Sequence, residues 1–279
     1  MKNLPILLWL CLAAPAAFAQ SYFIKAGIGY HTPLTDAQHL QLSGFPYSGS
    51  SVSVRSDYIF DVNKASLNTG NNALLSAGWW FSRYAGVAVD VSVGFSNKRY
   101  GSSGALAIYP EGSTTAVTQY ARTPVIITPS LVVRTGGREF VGYVSAGVAL
   151  PVSRRIYTES ETWRNDTLLF ADKMRLKTGF SLGLSGTAGV KYEIDQHFSI
   201  CAELHVLALS VYAKRGELTD SKAYGQDITY SRTEYERVTE YKKDFDPYYT
   251  YNENSPRPRP RYSIPFSSLG VQLGVWYEF

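Results

Sequence analysis

The chain has 279 residues, enough for one or two domains around a sizeable core. Its 45% apolar content excludes a disordered chain, and a net charge of +4 without a long basic block argues against nucleic acid as a partner. Two cysteines cannot build a disulfide scaffold, whereas 21 Tyr and 23 Gly with only 18% charged residues point to an all-β protein.

The first segment, residues 1–19, reads as an export signal. Met1-Lys2-Asn3 is a short basic start, Leu4 to Ala16 is apolar, and Ala17-Phe18-Ala19 places small residues for cleavage before Gln20. A membrane helix would need about 20 apolar residues and a basic stop. Cys11 raises a lipoprotein alternative, but Trp9-Leu10 puts bulk where lipid attachment wants a small residue. Cleavage removes Lys2 and Cys11, lowers the net charge from +4 to +3, and leaves Cys201 as a small buried filler in a barrel domain of residues 20–279.

From there the hydrophobic period is two. Tyr22, Ile24, Ala26, Ile28 and Tyr30 alternate with Lys25, Gly27, Gly29 and His31. Leu75, Ala77, Trp79 and Phe81 alternate with Ser76, Gly78 and Ser82, and Val87 to Phe95 alternates with Gly86, Asp90, Ser92 and Gly94. A pair over 121–134 and 138–152 is joined at Gly136-Gly137, with Pro124, Pro129 and Tyr143 disturbing its faces. Phe180 to Ile194 and Phe198 to Tyr212 are joined at Asp195-Gln196-His197. In the last strand, Leu269, Val271, Leu273, Val275, Tyr277 and Phe279 alternate with Gly270, Gln272, Gly274, Trp276 and Glu278. Successive strand side chains point to opposite faces, so each strand has one greasy face and one small or charged face.

These eight strands fit a closed antiparallel up-and-down transmembrane β-barrel better than a soluble sandwich. A sandwich would not crowd its polar face with Gly and Ser, whereas a narrow lumen needs small inward residues. Connector lengths also alternate, short near Arg83, Gly136 and Gln196, long over 32–71, 98–119, 153–176 and 214–263, as short periplasmic turns and long extracellular loops require. Ten strands remain possible if part of 40–71 or the last loop joins the wall. Aromatics at strand ends (Tyr22, Tyr30, Trp79-Trp80-Phe81, Phe95, Tyr192, Phe198, Tyr212, Phe266, Trp276-Tyr277 and Phe279) read as interfacial girdles.

The eight alternating strands and the ending Val275-Trp276-Tyr277-Glu278-Phe279 resemble small outer-membrane barrels of the OmpA and OmpX type. The resemblance implies the bacterial outer membrane as location. It also makes Val275, Tyr277 and Phe279 a signal to the barrel-insertion machinery. With the sequence ending on the last strand, no appended cell-wall-binding domain is expected. Functions in this superfamily range over membrane stability, adhesion, lipid enzymes, secretion and minor pores, so they do not follow from the fold.

Inward positions carry Lys25, Asp90, Arg134, Lys191, Glu193, Glu203, His205 and Glu278. Charges buried in an eight-stranded barrel must pair, so the expectation is an internal charge network filling the lumen. The alternative is a narrow small-solute pore lined by Lys25, Lys191, Glu193 and Glu203. Glu203-x-His205 lacks a third partner for metal or acid–base work, and no hydrolase, zinc-protease or nucleotide-binding motif occurs, so no cofactor, metal or catalysis is expected; a lipid-active enzyme is the remaining alternative. Individuality lies in the last long loop, where Tyr230, Tyr235, Tyr241, Tyr248, Tyr249, Arg257, Arg259 and Arg261 read as a binding or adhesion surface. Strands are expected to continue above the membrane there, with a similar hairpin turning at Asn165-Asp166. Lipopolysaccharide phosphates are the bland partner for these arginines, an extracellular ligand or protein the sharper one, and the protein is expected to be monomeric.

Overall fold

The computed structural model describes residues 21–34, 61–62, 66–95, 100–105, 113–137, 139–152, 155–246, 249–250 and 252–279, so the expected export signal lies outside the described residues. Eight strands form the wall: β1 (Ser21–Pro33), β2 (Gly70–Trp80), β3 (Ala85–Phe95), β4 (Val125–Arg134), β5 (Phe140–Pro151), β6 (Gly183–Glu193), β7 (Phe198–Ala208) and β8 (Ser268–Glu278). Each pairs antiparallel with its chain neighbour, except that β7 reaches β8 across the last long connector and β8 closes on β1 with Phe23 opposite Glu278. Full closure leaves the wall no free edge, which a sheet in hydrocarbon requires. The wall therefore has eight strands, and the last loop joins a second sheet.

The outward face is apolar along the whole height. Ile24, Ile28, Leu75, Val89, Leu131, Val144, Leu184, Ile200, Leu204, Val271, Leu273 and Val275 are all exposed large hydrophobics. An eleven-residue strand such as β2 is ~36 Å long at about 3.3 Å per residue, and a tilt of about 40° leaves ~28 Å along the barrel axis, the height of a bilayer core. Tyr22, Tyr30, Phe95, Tyr192, Phe198 and Phe279 do face outward at strand ends. Trp80, Trp276 and Phe266 do not belong to the girdle: all three are buried. Parity decides this, since Trp80 and Trp276 alternate in step with Gly78 and Gly274, whose side points to the lumen.

On the long-loop side the strands continue as a second sheet. Residues 113–121, 155–164, 167–178 and 210–223 lie almost directly before or after β4, β5, β6 and β7, and they pair with one another. Asn165 and Asp166 turn the 155–164/167–178 hairpin with positive φ at both positions (45° and 59°), as a two-residue hairpin loop demands. Val238–Lys242 pairs with Arg215–Glu217, and Arg257–Pro260 lies parallel to it at the sheet edge. The Arg261 N–H donates to the Lys242 carbonyl, so Pro258 and Pro260, half a period away, face the free edge and leave it without donors.

The strand breaks have local causes. Arg122-Thr123-Pro124 separates 113–121 from β4, with Thr123 at φ 50° and a proline that cannot donate to a ladder. Beneath the outer sheet lies an apolar cluster of Leu67, Ile126, Ile156, Leu176, Leu207, Leu209, Val211, Ile264 and Phe266, with Met174, Tyr241 and Tyr262 packed against it. It sits at the rim, where Ile126 and Leu207 of the wall meet the sheet above.

Candidate functional site

Two regions bring polar side chains together: the lumen and the outer sheet.

At the short-turn end of the lumen, Glu278 accepts two hydrogen bonds from Arg134 Nη1, at 3.0 and 3.1 Å, and one from Lys191 Nζ at 2.7 Å. Lys191 is also 3.2 Å from Glu193. The next layer is aromatic. Phe23, Trp80 and Trp276 stack with ring centroids 4.6–6.4 Å apart, and the Arg134 guanidinium lies 4.1 Å from the Trp80 ring. Above it, Lys25 Nζ reaches Glu203 Oε1 at 2.6 Å, the Tyr143 hydroxyl donates to the same oxygen, and Lys25 lies 5.4 Å from the Trp276 ring. Each cation in this stack thus has both a carboxylate and a π-face, which offsets the desolvation of burying it.

The third layer is built on imidazoles, amides and hydroxyls around Asp90. His205 Nε2 shares a hydrogen bond with Ser185 at 2.9 Å, and its ring stacks on His31 at 5.2 Å. His31 is held by Asn68, Ser268 and Gln272, and Asp90 accepts from Ser130 at 3.2 Å. Between Lys25, Asp90, Thr128 and His205 is a gap with room for about one water. The apolar rim cluster closes the column above. All eight expected lumen residues therefore face inward, but they form two ion-paired layers and a separate one held by hydroxyl, amide and imidazole contacts. Asp90 and His205 meet hydroxyls rather than ions.

Sequence reasoning missed the aromatic layer and the partners Tyr143, Asn68 and Gln272. Parity could have found Phe23 and Trp80, since both share the side of Lys25 and Gly78. Glu203 and His205 turn to different partners, and no cluster of three or more His, Cys, Asp or Glu suited to a metal occurs among the described residues. At the end of β8, Val275 and Phe279 face outward, with Tyr277 half-buried against Phe198 and Phe279.

The outer sheet separates the expected loop residues. Tyr230 is almost fully exposed at 92%, while Tyr241 packs on Tyr262 over the rim cluster, where burial pushes its phenol pKa up. Tyr241 thus serves the packing of the sheet. Tyr235 and Tyr249 share a hydroxyl–hydroxyl hydrogen bond, with Arg257 5.6 Å from the Tyr235 ring. Arg261 leaves this group and lies 4.4 Å from the Tyr212 ring. Tyr248 lies outside the described residues.

Elsewhere on the sheet a cluster of charges pairs around Glu217. Glu217 accepts from Arg175 at 2.7 Å and Lys177 at 2.8 Å, and Arg215 is 3.2 Å away. The hydrogen bonds from Lys177 and Arg175 hold its carboxyl pKa down from the ordinary 4.5 to about 2. The folded sheet therefore keeps Glu217 ionised to lower pH than the unfolded chain does. Its contribution is complete above about pH 4.5 and is lost as the pH falls towards 2. In hydrogen-exchange measurements, the protection difference between the wild type and Glu217→Gln across 167–178 and 210–223 is expected to be largest above that window and gone at its lower end. A difference that persists unchanged at pH 2 would assign the effect to packing.

No family model and no curated protein matches the chain. Among solved structures it is similar to the outer membrane protein OprG from Pseudomonas aeruginosa, at 13% identity and a TM-score of 0.42 over 94% of this chain and 96% of that one. It is also similar to Neisserial surface protein A (NspA), at 11% identity and a TM-score of 0.33 over 93% and 96%.

Proposed function

We propose that this protein is a bacterial outer-membrane barrel with a closed lumen, and that it works as a membrane anchor displaying a binding surface on its long-loop sheet. The observation that carries the reading is the filled column: ion-paired, aromatic and hydrogen-bonded layers end beneath an apolar cluster at the rim. An ion crossing it would have to pass Trp80 and Trp276, both buried, and then Leu176, Leu207 and Leu209. The exposed polar groups lie instead on the outer sheet, where Tyr and Arg offer large, pre-ordered contact area.

In this reading the protein is a non-catalytic monomer. Its surroundings are membrane lipid and lipopolysaccharide, Val275, Tyr277 and Phe279 serve its insertion, and its ligand or protein partner is extracellular. The test is single-channel recording of the folded protein in a planar bilayer. Silence is the expected result. Discrete steps that change when Lys191 or Glu203 is neutralised would make the lumen a pore and overturn the proposal.

A further inference from the structure

The cations whose side chains the structure describes follow a rule with two exceptions. Among the described residues, every Lys or Arg that is at least half-buried has a carboxylate within salt-bridge distance: Lys25, Arg134 and Lys191 in the lumen, and Lys173, Arg175, Arg215 and Arg232 in the outer sheet. Arg257 and Arg259 are half-buried too, yet no carboxylate among the described residues is paired with either. Removing a guanidinium from water without a counter-charge is unfavourable, so a pair of them side by side calls for an anion.

We propose that Arg257 and Arg259, flanked by Tyr235 and Tyr249, form a binding site for a phosphate group on the long-loop side.

The ladder sets the geometry. Arg257 lies opposite Thr239 and Arg259 opposite Tyr241 in the parallel pairing, so both side chains leave the strand on the face that carries buried Thr239. Same-face neighbours are about 6.6 Å apart along a strand, a span that two converging guanidinium forks can close on one tetrahedral anion. Pro258 and Pro260 fix the backbone between and after them, which lowers the ordering cost on binding. Arg257 rests 5.6 Å from the Tyr235 ring, whose hydroxyl is hydrogen-bonded to that of Tyr249, so the two tyrosines hold one wall of the pair in place. Burial and the neighbouring Arg257 push the Arg259 pKa down, but a guanidinium stays charged at neutral pH. Two unpaired positive charges suit a phosphate dianion better than a carboxylate.

This deepens the display reading and rests on it. The phosphate could come from a lipid head group of the surrounding leaflet or from a soluble phosphorylated solute, and two probes separate these sources. The full chain, folded in neutral detergent near physiological salt, is titrated with inorganic pyrophosphate by calorimetry, and separately with micelles doped with phosphatidic acid by intrinsic fluorescence. Saturable binding is expected, weakened about tenfold or more in Arg257→Gln/Arg259→Gln and less in the double Lys variant, which keeps charge but loses the fork. The exposed-cation variants Arg164→Gln and Arg237→Gln should bind like wild type. A response to pyrophosphate alone assigns a soluble solute, a response to phosphatidic acid alone a lipid head group, and either upholds the site. No saturable binding of either probe, or equal losses in the control variants, would overturn it. A silent barrel that binds neither probe leaves the closed-scaffold reading standing. A conducting barrel whose pyrophosphate binding needs Arg257 and Arg259 does the reverse.

Discussion

Lys25→Met is expected to lower the stability of the detergent-folded protein by about 3–5 kcal/mol, read from the denaturant midpoint of its circular dichroism signal. Lys25 and Glu203 have only 8% and 2% of their side-chain surface exposed and meet at 2.6 Å, with Tyr143 on the same carboxylate oxygen. Removing the ammonium leaves Glu203 facing Tyr143, Cys201 and the aromatic layer with its charge uncompensated. Because most of that loss comes from the orphaned partner, Lys25→Met/Glu203→Leu combined with Tyr143→Phe should recover much of it. The measurement also bears on the lumen. In a water-filled channel the pair would be screened and worth about 0–1 kcal/mol, so a small effect of Lys25→Met would contradict the closed column as directly as conductance would.

How far such groups were legible in advance depended on which regularity governed them. Strand parity is a covalent consequence of the pleat, so the inward placement of Lys25, Asp90, Lys191, Glu203 and Glu278 followed from counting by two, as did the greasy belt from Ile24 to Val275. Residue type overrode parity in the girdle. Trp80 and Trp276 look interfacial because tryptophan prefers that boundary, yet their positions put them inside, where Gly78 and Gly274 leave room for rings. The partners were not legible. Glu203 pairs with a lysine 178 positions away, a pairing set by barrel stagger, which no local pattern encodes. The outer sheet was foreseen only as separate hairpins, one turning at Asn165-Asp166 and one in the last long loop. Its strands carry charge on one face and mixed residues on the other, as in Lys173, Arg175 and Lys177 against Met174 and Leu176, and its edge is a proline-rich run that composition alone reads as loop. The carboxylate partners of its cations emerge only when four segments are laid side by side.

The two faces of the wall should respond to substitution in opposite ways. Leu273 sits at the centre of β8 with 62% of its surface exposed, so Leu273→Ala removes few protein contacts and is expected to be nearly neutral in lipid. Leu273→Arg instead places a charge at the hydrocarbon midplane, at a cost of about 2–4 kcal/mol measured by reversible unfolding from lipid vesicles. On the inward face the order of tolerance reverses. A Cβ at Gly78 would press into the Phe23 ring and lie 2.7 Å from the Val87 carbonyl, an atom fixed in the wall. Gly78→Val is therefore expected to be more damaging than Ala77→Val one residue away, whose side chain enters lipid, with the loss visible as a smaller folded fraction on heat-modifiability gels. A soluble sandwich would show the opposite response at Leu273, because its large apolar face would be packed and Leu273→Ala would leave a cavity costing about 2–5 kcal/mol. Comparing Leu273→Ala with Leu273→Arg in the same vesicles thus decides whether that face meets lipid or protein.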